Sequence, residues 1–160
     1  VIGYDKDLPQ LIEVYKNALV TVGQIKSSHT RRKLYTLLKE LNTSFPVIVS
    51  PNAYVSKNSE ISEGTIVMHN AVVNTDTKID ENCIINNMAL IEHDVVIGSH
   101  CHISTGAKVN GGVKIESDVF IGSGAVIFEG VKIGKGSVIG AGTTVIKDIP
   151  RESIFTGKHE

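Results

Sequence analysis

A hydrophobic residue recurs at every sixth position over more than half of this chain. Counting in steps of six from Val49 to Val145, all seventeen positions are Val or Ile, and no insertion interrupts the series. A fixed period of this kind indicates a repeat architecture in which each unit packs only against its neighbours. Because the chain holds no Trp and only four Tyr and four Phe, its core must stack small branched side chains instead of large rings.

The residue three positions after each repeated Val or Ile is similarly restricted. Fifteen of these seventeen residues are Gly, Asn or Asp, which tolerate a positive φ, and the other two are Met88 and His100. Each hexad therefore reads as a short strand followed by a sharp corner. Three hexads close a coil of 18 residues, and successive coils stack as parallel strands about 4.8 Å apart. We predict a mainly β fold, a parallel β-helix with three faces over residues 47–150, followed by a C-terminal tail, 151–160.

The residues that point outward, one before each repeated Val or Ile, distinguish the three faces. The first face carries an apolar stripe made of Ile66, Ile84, His102, Phe120 and Val138. The second is mixed, with Tyr54, Val72, Leu90, Lys108, Val126 and Thr144, and the third is mostly polar, with Glu60, Lys78, Val96, Lys114, Lys132 and Pro150. An outward apolar stripe marks a partner surface. Two partly apolar faces beside a solvated third face predict a closed ring of like subunits, a homotrimer.

Residues 1–46 lack the six-residue period and are predicted to form a small, partial α/β domain. Hydrophobic spacing indicates a helix over Asp7–Asn17 and a second helix over Thr30–Leu41. Between them, Ala18–Val22 reads as a buried strand that ends at Gly23. A strand, a glycine and a helix in this order are half of a nucleotide-binding type of domain.

The second predicted helix begins with an unusual cluster of cations. Arg31, Arg32 and Lys33 lie in its first turn, where the helix dipole disfavours positive charge. The cluster is therefore unfavourable there unless an anion lies nearby.

Composition excludes several classes of function. The net charge of −1 provides no basic surplus for nucleic acid. No apolar run approaches the roughly 20 residues of a membrane helix, and we expect no signal peptide from the residues given, which begin at Val1 and not at Met. The two cysteines, Cys83 and Cys101, are 18 residues apart, so they should stack in the core as packing residues. We expect a cytoplasmic protein with no membrane association, because two thiols suit a reducing compartment.

Two of the six histidines stand out by their position. His102 interrupts the apolar stripe, where a buried imidazole must find a polar partner. His93 lies nine residues earlier, at a corner half a coil away, so the prism body separates the two within one subunit. Across a trimer interface the His93 corner can approach the apolar face of the next chain. Gly111 and Gly112 stack over His93 and leave a notch with backbone amides, a suitable place for a thioester near a general base.

The residues around these histidines resemble a known family. The segment Ile91-Glu92-His93-Asp94, with Gly98, His102-Ile103-Ser104 and Gly106-Ala107, is similar to the hexapeptide-repeat acyltransferases, as are residues 139–145, 147–150 and 31–35. It is most similar to the branch containing sialic acid O-acetyltransferases and the N-acetyltransferases of nucleotide-linked 4-amino sugars. The resemblance implies a left-handed β-helix, a trimer and acetyl-CoA as the acetyl donor in surface-glycan or sialic-acid-type biosynthesis.

The resemblance also implies roles for individual residues. The histidine matching His93 is the general base that deprotonates the acceptor amine or hydroxyl, and the acid matching Asp94 orients its imidazole. No metal takes part, and the acetyl group is transferred directly, since neither cysteine offers a nucleophile. Whether nitrogen or oxygen is acetylated stays open, as does the identity of the sugar.

Further roles implied by the resemblance concern the two substrates. The histidine matching His102 helps hold the thioester end of the cofactor, and the amide matching Gly111 binds an acyl or pantetheine oxygen. Residues near Ala141 and Gly142 line the cofactor channel, and the sugar lies near Gly23. Family members begin with a strand and a Gly-rich phosphate loop that are missing here, for which we favour a fragment over a loss of sugar-nucleotide binding.

Two alternatives belong to other classes of protein. A zinc enzyme of the γ-carbonic anhydrase type needs three converging imidazoles. His69, His93, His100 and His102 are separated by 24, 7 and 2 residues, which does not match an 18-residue coil. A non-catalytic trimeric scaffold is the second alternative, and replacing His93 would distinguish it from an acetyltransferase.

Overall fold

The computed structural model, which describes residues 2–25 and 27–157, contains a three-sided parallel β-helix. Its eighteen two-residue strands form three parallel sheets. The first sheet contains β1 (Ile48–Val49), β4 (Ile66–Val67), β7 (Ile84–Ile85), β10 (His102–Ile103), β13 (Phe120–Ile121), β16 (Val138–Ile139) and β18 (Ile154–Phe155). The second contains β2 (Tyr54–Val55), β5 (Val72–Val73), β8 (Leu90–Ile91), β11 (Lys108–Val109), β14 (Val126–Ile127) and β17 (Thr144–Val145). The third contains β3 (Glu60–Ile61), β6 (Lys78–Ile79), β9 (Val96–Ile97), β12 (Lys114–Ile115) and β15 (Lys132–Ile133). The predicted mainly β, solenoid fold is confirmed.

The period of the sequence sets the register of all three sheets. Each strand pairs with the strand one coil later, so that Ile48 stands opposite Ile66, 18 residues on. The repeated Val and Ile side chains point inward, and those from Val67 to Val145 are at most 2% exposed. Cys83 and Cys101 are free, fully buried and stacked, with the Cys101 N–H 3.4 Å from Cys83 Sγ. The core is therefore the column of branched side chains that the repeat predicts.

The corners adopt the predicted left-handed backbone conformation along most of the prism. Fourteen consecutive corner positions, from Gly64 to Gly142, have φ between 56° and 70°. They include Met88 at 57° and His100 at 62°, so the register imposes this conformation even where the residue type does not favour it. The corner positions Asn52, Asn58 and Asp148 are not among the residues with positive φ, which limits the regular geometry to the central coils.

The last coil is shorter than the others and continues past residue 150. Ile154 in β18 stands opposite Val138, 16 residues earlier, and Ile149 bridges Ile133 at the same shortened spacing. Phe155 is 8% exposed and closes the end of the core. The expected tail 151–160 therefore contains a strand of the first sheet, while residues 158–160 lie outside the described part.

The N-terminal part is helical, and the strand predicted over Ala18–Val22 is not formed. A 3-10 turn at Asp5–Asp7 leads into α1 (Leu8–Val14), and α2 spans His29–Glu40. A single parallel bridge joins Asn17 to Ser44, and a segment with one bridging partner cannot build a sheet ladder. No helix in the described residues is long and apolar enough to cross a bilayer.

Helix α2 is fastened to the prism by polar contacts as well as by packing. Arg31, Tyr35 and Leu38 are its buried residues, whereas the leucine spacing alone predicts a purely apolar inner face. The Tyr35 hydroxyl lies 2.9 Å from Glu63 Oε1 and 3.1 Å from Glu81 Oε2, both on corners of the prism. Burial, followed by these two contacts, raises the pKa of Tyr35, so the hydroxyl stays protonated and donates to a carboxylate.

Asp118 places a carboxylate beside the first turn of α2. Its Oδ1 accepts a hydrogen bond from Ser28 Oγ at 2.6 Å, and its Oδ2 lies 3.0 Å from Arg32 Nη1. Lys135 Nζ lies 3.7 Å from the same oxygen. This carboxylate offsets the charge of Arg32, which the helix dipole disfavours at this end of α2.

Candidate active site

His93 and Asp94 form a corner between the second and third sheets, directly after β8. The left-handed conformation of Asp94, with φ of 59°, turns the chain here, and its N–H donates to the Thr75 carbonyl at 3.2 Å. On this turned backbone, Asp94 Oδ2 lies 2.8 Å from His93 Nδ1. The side chains are 57% and 66% exposed, so the pair stands at the surface of the single chain.

This hydrogen bond determines which nitrogen of His93 is available for chemistry. A carboxylate can only accept, so Nδ1 carries the proton and Nε2 presents its lone pair. The bond to Asp94 is the largest cause that raises the pKa of His93, and the negative charges of Asp94, Glu92 and Glu129 add to it. A histidine held in this tautomer with a raised pKa can act as a general base.

Gly111 lies against the face of the His93 imidazole, as the 18-residue spacing predicts. A Cβ at Gly111 would stand 2.7 Å from His93 Cε1 and 2.8 Å from Nε2, so only glycine leaves room for the ring in this position. The Gly112 N–H donates to the His93 carbonyl at 2.9 Å and the Gly111 carbonyl accepts from Gly130 at 3.0 Å. The Gly111 N–H has no acceptor among the described residues, which leaves it free to bind an oxyanion.

His102 is buried on the first sheet, and both of its ring nitrogens have partners within the chain. It is 8% exposed. Its Nδ1 lies 2.8 Å from the Gln24 carbonyl oxygen and its Nε2 lies 3.1 Å from Asn86 Nδ2. Burial lowers the pKa of His102, which keeps the ring neutral. The polar partner that its place in the apolar stripe requires therefore comes from the N-terminal part.

The remaining predicted site residues lie elsewhere on the prism. Ala141 and Gly142 form a corner between the first and second sheets, with φ of 67° at Gly142. This corner and the His93 corner are at opposite edges of the second sheet. Gly23 is exposed beside Gln24, and no atom lies within 4 Å of a Cβ added there. Within one chain, the structure brings together His93, Asp94 and Gly111 but not the others.

The hydrophobic pattern alone does not reveal the importance of Arg31 and Gln24, two buried polar residues at the segment around Gly23. Arg31 belongs to a run of three cations, yet it is 1% exposed, and Gln24 in an irregular segment is 6% exposed. The cluster of cations at a helix start is the one signal in the sequence that points to Arg31. No comparable signal points to Gln24.

A shallow cleft of about 680 Å³ crosses the third sheet and begins at Val96, three residues after His93. It has an apolar floor and a mainly cationic rim, which includes Lys114 and Lys132 in cross-strand register. Neither amine lies within 4.0 Å of a carboxylate oxygen among the described residues. No histidine lines this cleft.

The described residues offer no ligand set for a metal. No group of three or more His, Cys, Asp or Glu side chains within residues 2–25 and 27–157 is placed to hold an ion. His69 instead contacts Ser50 Oγ through its Nδ1 at 2.6 Å, and His100 contacts Asn82 Nδ2 at 3.0 Å. Three imidazoles that converge, as the zinc alternative requires, are not found there.

Comparisons with known families match the repeat region. The family described as "Bacterial transferase hexapeptide (six repeats)" matches residues 76–111 and 94–129. The family described as "Hexapeptide repeat of succinyl-transferase" matches residues 112–147. A comparison with curated proteins gives no match.

Solved structures match nearly the whole chain. The perosamine N-acetyltransferase PerB from Caulobacter crescentus, in complex with CoA and GDP-perosamine, superposes with a TM-score of 0.90 at 31% identity, covering 96% of this chain and 73% of that chain. The acetyltransferase domain of PglB from Neisseria gonorrhoeae superposes with a TM-score of 0.89 at 29% identity, covering 96% and 74%. The same domain in complex with acetyl coenzyme A has a TM-score of 0.79 at 31% identity, covering 81% and 63%.

Proposed function

Because this chain belongs to the family of hexapeptide-repeat acyltransferases, we propose that it transfers an acetyl group from acetyl-CoA to the amino group of a nucleotide-linked sugar. The similar structures support both substrates, since they hold CoA or acetyl-CoA and, in one of them, GDP-perosamine. The observation that carries the proposal is the corner of His93, Asp94 and Gly111. It combines a base, the group that orients it and a free amide in one place.

The proposed reaction is a direct transfer. As the nitrogen of the neutral acceptor amine attacks the thioester carbonyl carbon, His93 Nε2 takes the proton that this nitrogen loses. The Gly111 N–H donates to the carbonyl oxygen, which carries negative charge in the tetrahedral intermediate. Collapse of the intermediate breaks the carbon–sulfur bond and releases the CoA thiolate. The proton held by His93 can return to this sulfur, so the base is regenerated.

We propose that the active site is completed by a second copy of the chain in a homotrimer. His93 and Gly111 lie on one edge of the second sheet, and Ala141 and Gly142 lie on the opposite edge, so one chain cannot place all of them around one ligand. In the trimer, His102 and the Ala141–Gly142 corner of one subunit would face the His93 corner of the next. Exposed apolar side chains support such a contact, among them Tyr54 at 59%, Phe128 at 54% and Ile154 at 76%.

The cleft on the third sheet is a suitable surface for part of the cofactor. CoA has a long, partly apolar arm and several phosphate charges, which fit an apolar floor with Lys114 and Lys132 at its rim. Gly23 is proposed to lie beside the sugar nucleotide. The free thiols of Cys83 and Cys101 support the cytoplasm as the compartment, and a place in surface-glycan biosynthesis stays a prediction.

The test is an acetylation assay with acetyl-CoA and a panel of acceptors, including GDP-perosamine, UDP-linked 4-amino sugars and sialic acid. We expect His93→Ala to lower kcat by about 10²-fold or more, the usual contribution of a general base. His29→Ala is the control, because His29 is an exposed histidine at the start of α2 and lies on neither prism edge of the proposed site. Equal kcat in the wild type and His93→Ala would remove His93 from the mechanism, and a stable monomer in sedimentation would exclude the shared site.

A further inference from the structure

The loop of residues 20–24, which carries Gly23, is held to the rest of the molecule by buried polar groups. Arg31 is 1% exposed, and its Nη1 donates to the carbonyl oxygens of Val22, at 3.0 Å, and of Val20. Its Nε donates to the Asn82 carbonyl at 3.2 Å. Burial lowers the pKa of Arg31 to about 10, so the guanidinium stays charged at neutral pH and binds backbone oxygens on both sides.

The other end of loop 20–24 is fixed to the first sheet through Gln24. The Gln24 side chain donates from Nε2 to the His100 carbonyl at 2.7 Å. Its backbone carbonyl lies 2.8 Å from His102 Nδ1. The contact with His102 joins residues 78 positions apart in the sequence, and it connects the loop to a strand in the middle of the prism.

The partners of His102 determine its tautomer. A carbonyl oxygen can only accept, so Nδ1 carries the proton and donates it to Gln24. Nε2 then accepts from the Asn86 amide at 3.1 Å. An edge-to-face contact with Phe120, with ring centroids 5.3 Å apart at 81°, holds the ring plane. The imidazole is therefore committed to one orientation by three contacts within its own chain.

We propose that His102 is a positioning residue for the acceptor substrate, which holds loop 20–24 and its Gly23 at a fixed place on the first sheet. This inference rests on the proposed function, since it takes Gly23 to lie beside the sugar nucleotide. It differs from the role that the resemblance implies, in which this histidine holds the thioester end of the cofactor. The two roles predict changes in the KM of different substrates.

A pair of isosteric variants separates the two ring nitrogens. In His102→Asn, the side-chain amide nitrogen takes the place of Nδ1 and can still donate to the Gln24 carbonyl. In His102→Gln, the amide reaches the place of Nε2 and leaves that carbonyl without its donor. A buried carbonyl that loses its only side-chain donor costs about tenfold in an equilibrium constant. We therefore expect His102→Gln to raise the KM for the nucleotide sugar about tenfold, and His102→Asn by less than about threefold.

In both variants the KM for acetyl-CoA should stay within about twofold of the wild type. The opposite pattern, an unchanged KM for the sugar with a raised KM for acetyl-CoA, would overturn the proposal in favour of direct contact with the cofactor. Equal effects of the two variants on the sugar would overturn it as well, because Nδ1 would then have no special role.

Hydrogen exchange provides a readout that does not depend on catalysis. The side-chain protons of Gln24 Nε2 and Arg31 Nη1, which are hydrogen-bonded in the folded chain, should exchange faster in His102→Gln than in the wild type, and at the wild-type rate in His102→Asn. Equal exchange in all three proteins refutes the attachment of the loop. If exchange behaves as expected but the wild type neither acetylates nor binds a nucleotide sugar in calorimetry, the attachment stands while the proposed function and the role in acceptor binding fail.

Discussion

Replacing Gly111 with Ala should move the imidazole of His93 without unfolding the corner that carries it. The added Cβ would stand 2.7 Å from His93 Cε1, and ordinary contacts begin at 3.4 Å, so the ring must retreat by about 0.7 Å, the difference between these distances. The φ of Gly111 lies outside the left-handed region, so the backbone accepts Ala. Because His93 is 57% exposed in the single chain, no side chain of its own subunit prevents the ring from moving.

The size of the effect follows from this displacement. A misplacement of the order of 1 Å in a reacting group can cost about 10²-fold in rate, so we expect kcat to fall between about tenfold and a hundredfold. The displaced ring also loses its 2.8 Å contact with Asp94, which selects the reactive tautomer. Release of free CoA thiol, followed with a thiol reagent at saturating acetyl-CoA, measures kcat, and a thermal scan should show little change in Tm.

Gly136→Ala is the matched control. Gly136 has φ of 70° at a corner between the third and first sheets, and the nearest atom to an added Cβ is 3.6 Å away. Here Ala has room but is strained, so we expect a loss of about 1–2 kcal/mol in the free energy of unfolding with kcat within about twofold of wild type. If Gly111→Ala also keeps kcat within twofold, the contact between His93 and Gly111 has no part in the transfer.

Three further predictions follow from charge, strain and burial. Asp94→Asn keeps the left-handed corner but removes the main cause that raises the pKa of His93. The acid limb of the pH profile of kcat/KM should therefore move to lower pH. An acid limb at the same pH as in the wild type would contradict this role of Asp94. Met88→Asn should raise the free energy of unfolding by about 0.5–1 kcal/mol, since Met88 is 59% exposed and has φ of 57°; urea denaturation measures this gain, and a loss would contradict it. Burial lowers the pKa of both His100 and His102, so the unfolded chain binds more protons than the folded one. The free energy of unfolding should therefore fall as pH drops below about 6.5. Urea denaturation at pH 7.5 and 5.5 measures this fall, which should be smaller in His102→Asn than in the wild type.

The repeat predicts the prism because each of its requirements is local. An inward Val or Ile and a corner residue that tolerates positive φ recur within six residues, so every coil is specified in the same way as its neighbour. The constraint is strong enough to hold Met88 and His100 in the left-handed region. It ends where the period ends, and the last coil is therefore shorter by two residues, with Ile154 opposite Val138, than continuation of the repeat would predict.

The N-terminal part could be predicted only in its helices. The hydrophobic spacing over Ala18–Val22 fits a strand, but a strand also needs a neighbour to pair with. The structure offers this segment a single bridge, from Asn17 to Ser44, and only Val20 in it is buried. The carbonyl groups of Val20 and Val22 accept instead from the buried guanidinium of Arg31. A side chain of the following helix thus takes the place of a sheet ladder, which a periodicity pattern cannot reveal.

The candidate site likewise has a part that the sequence spacing predicts and a part that it does not. His93, Asp94 and Gly111 could be assembled from the sequence, because Asp94 follows His93 directly and Gly111 lies one coil later in the same column. The sequence also shows that His102 needs a polar partner, since it interrupts an apolar stripe. It does not show that Gln24 is that partner, because this contact spans 78 residues and involves a backbone carbonyl, which every residue type possesses. Periodic neighbours are therefore predictable from spacing, whereas the partner of a buried imidazole must be read from the folded chain.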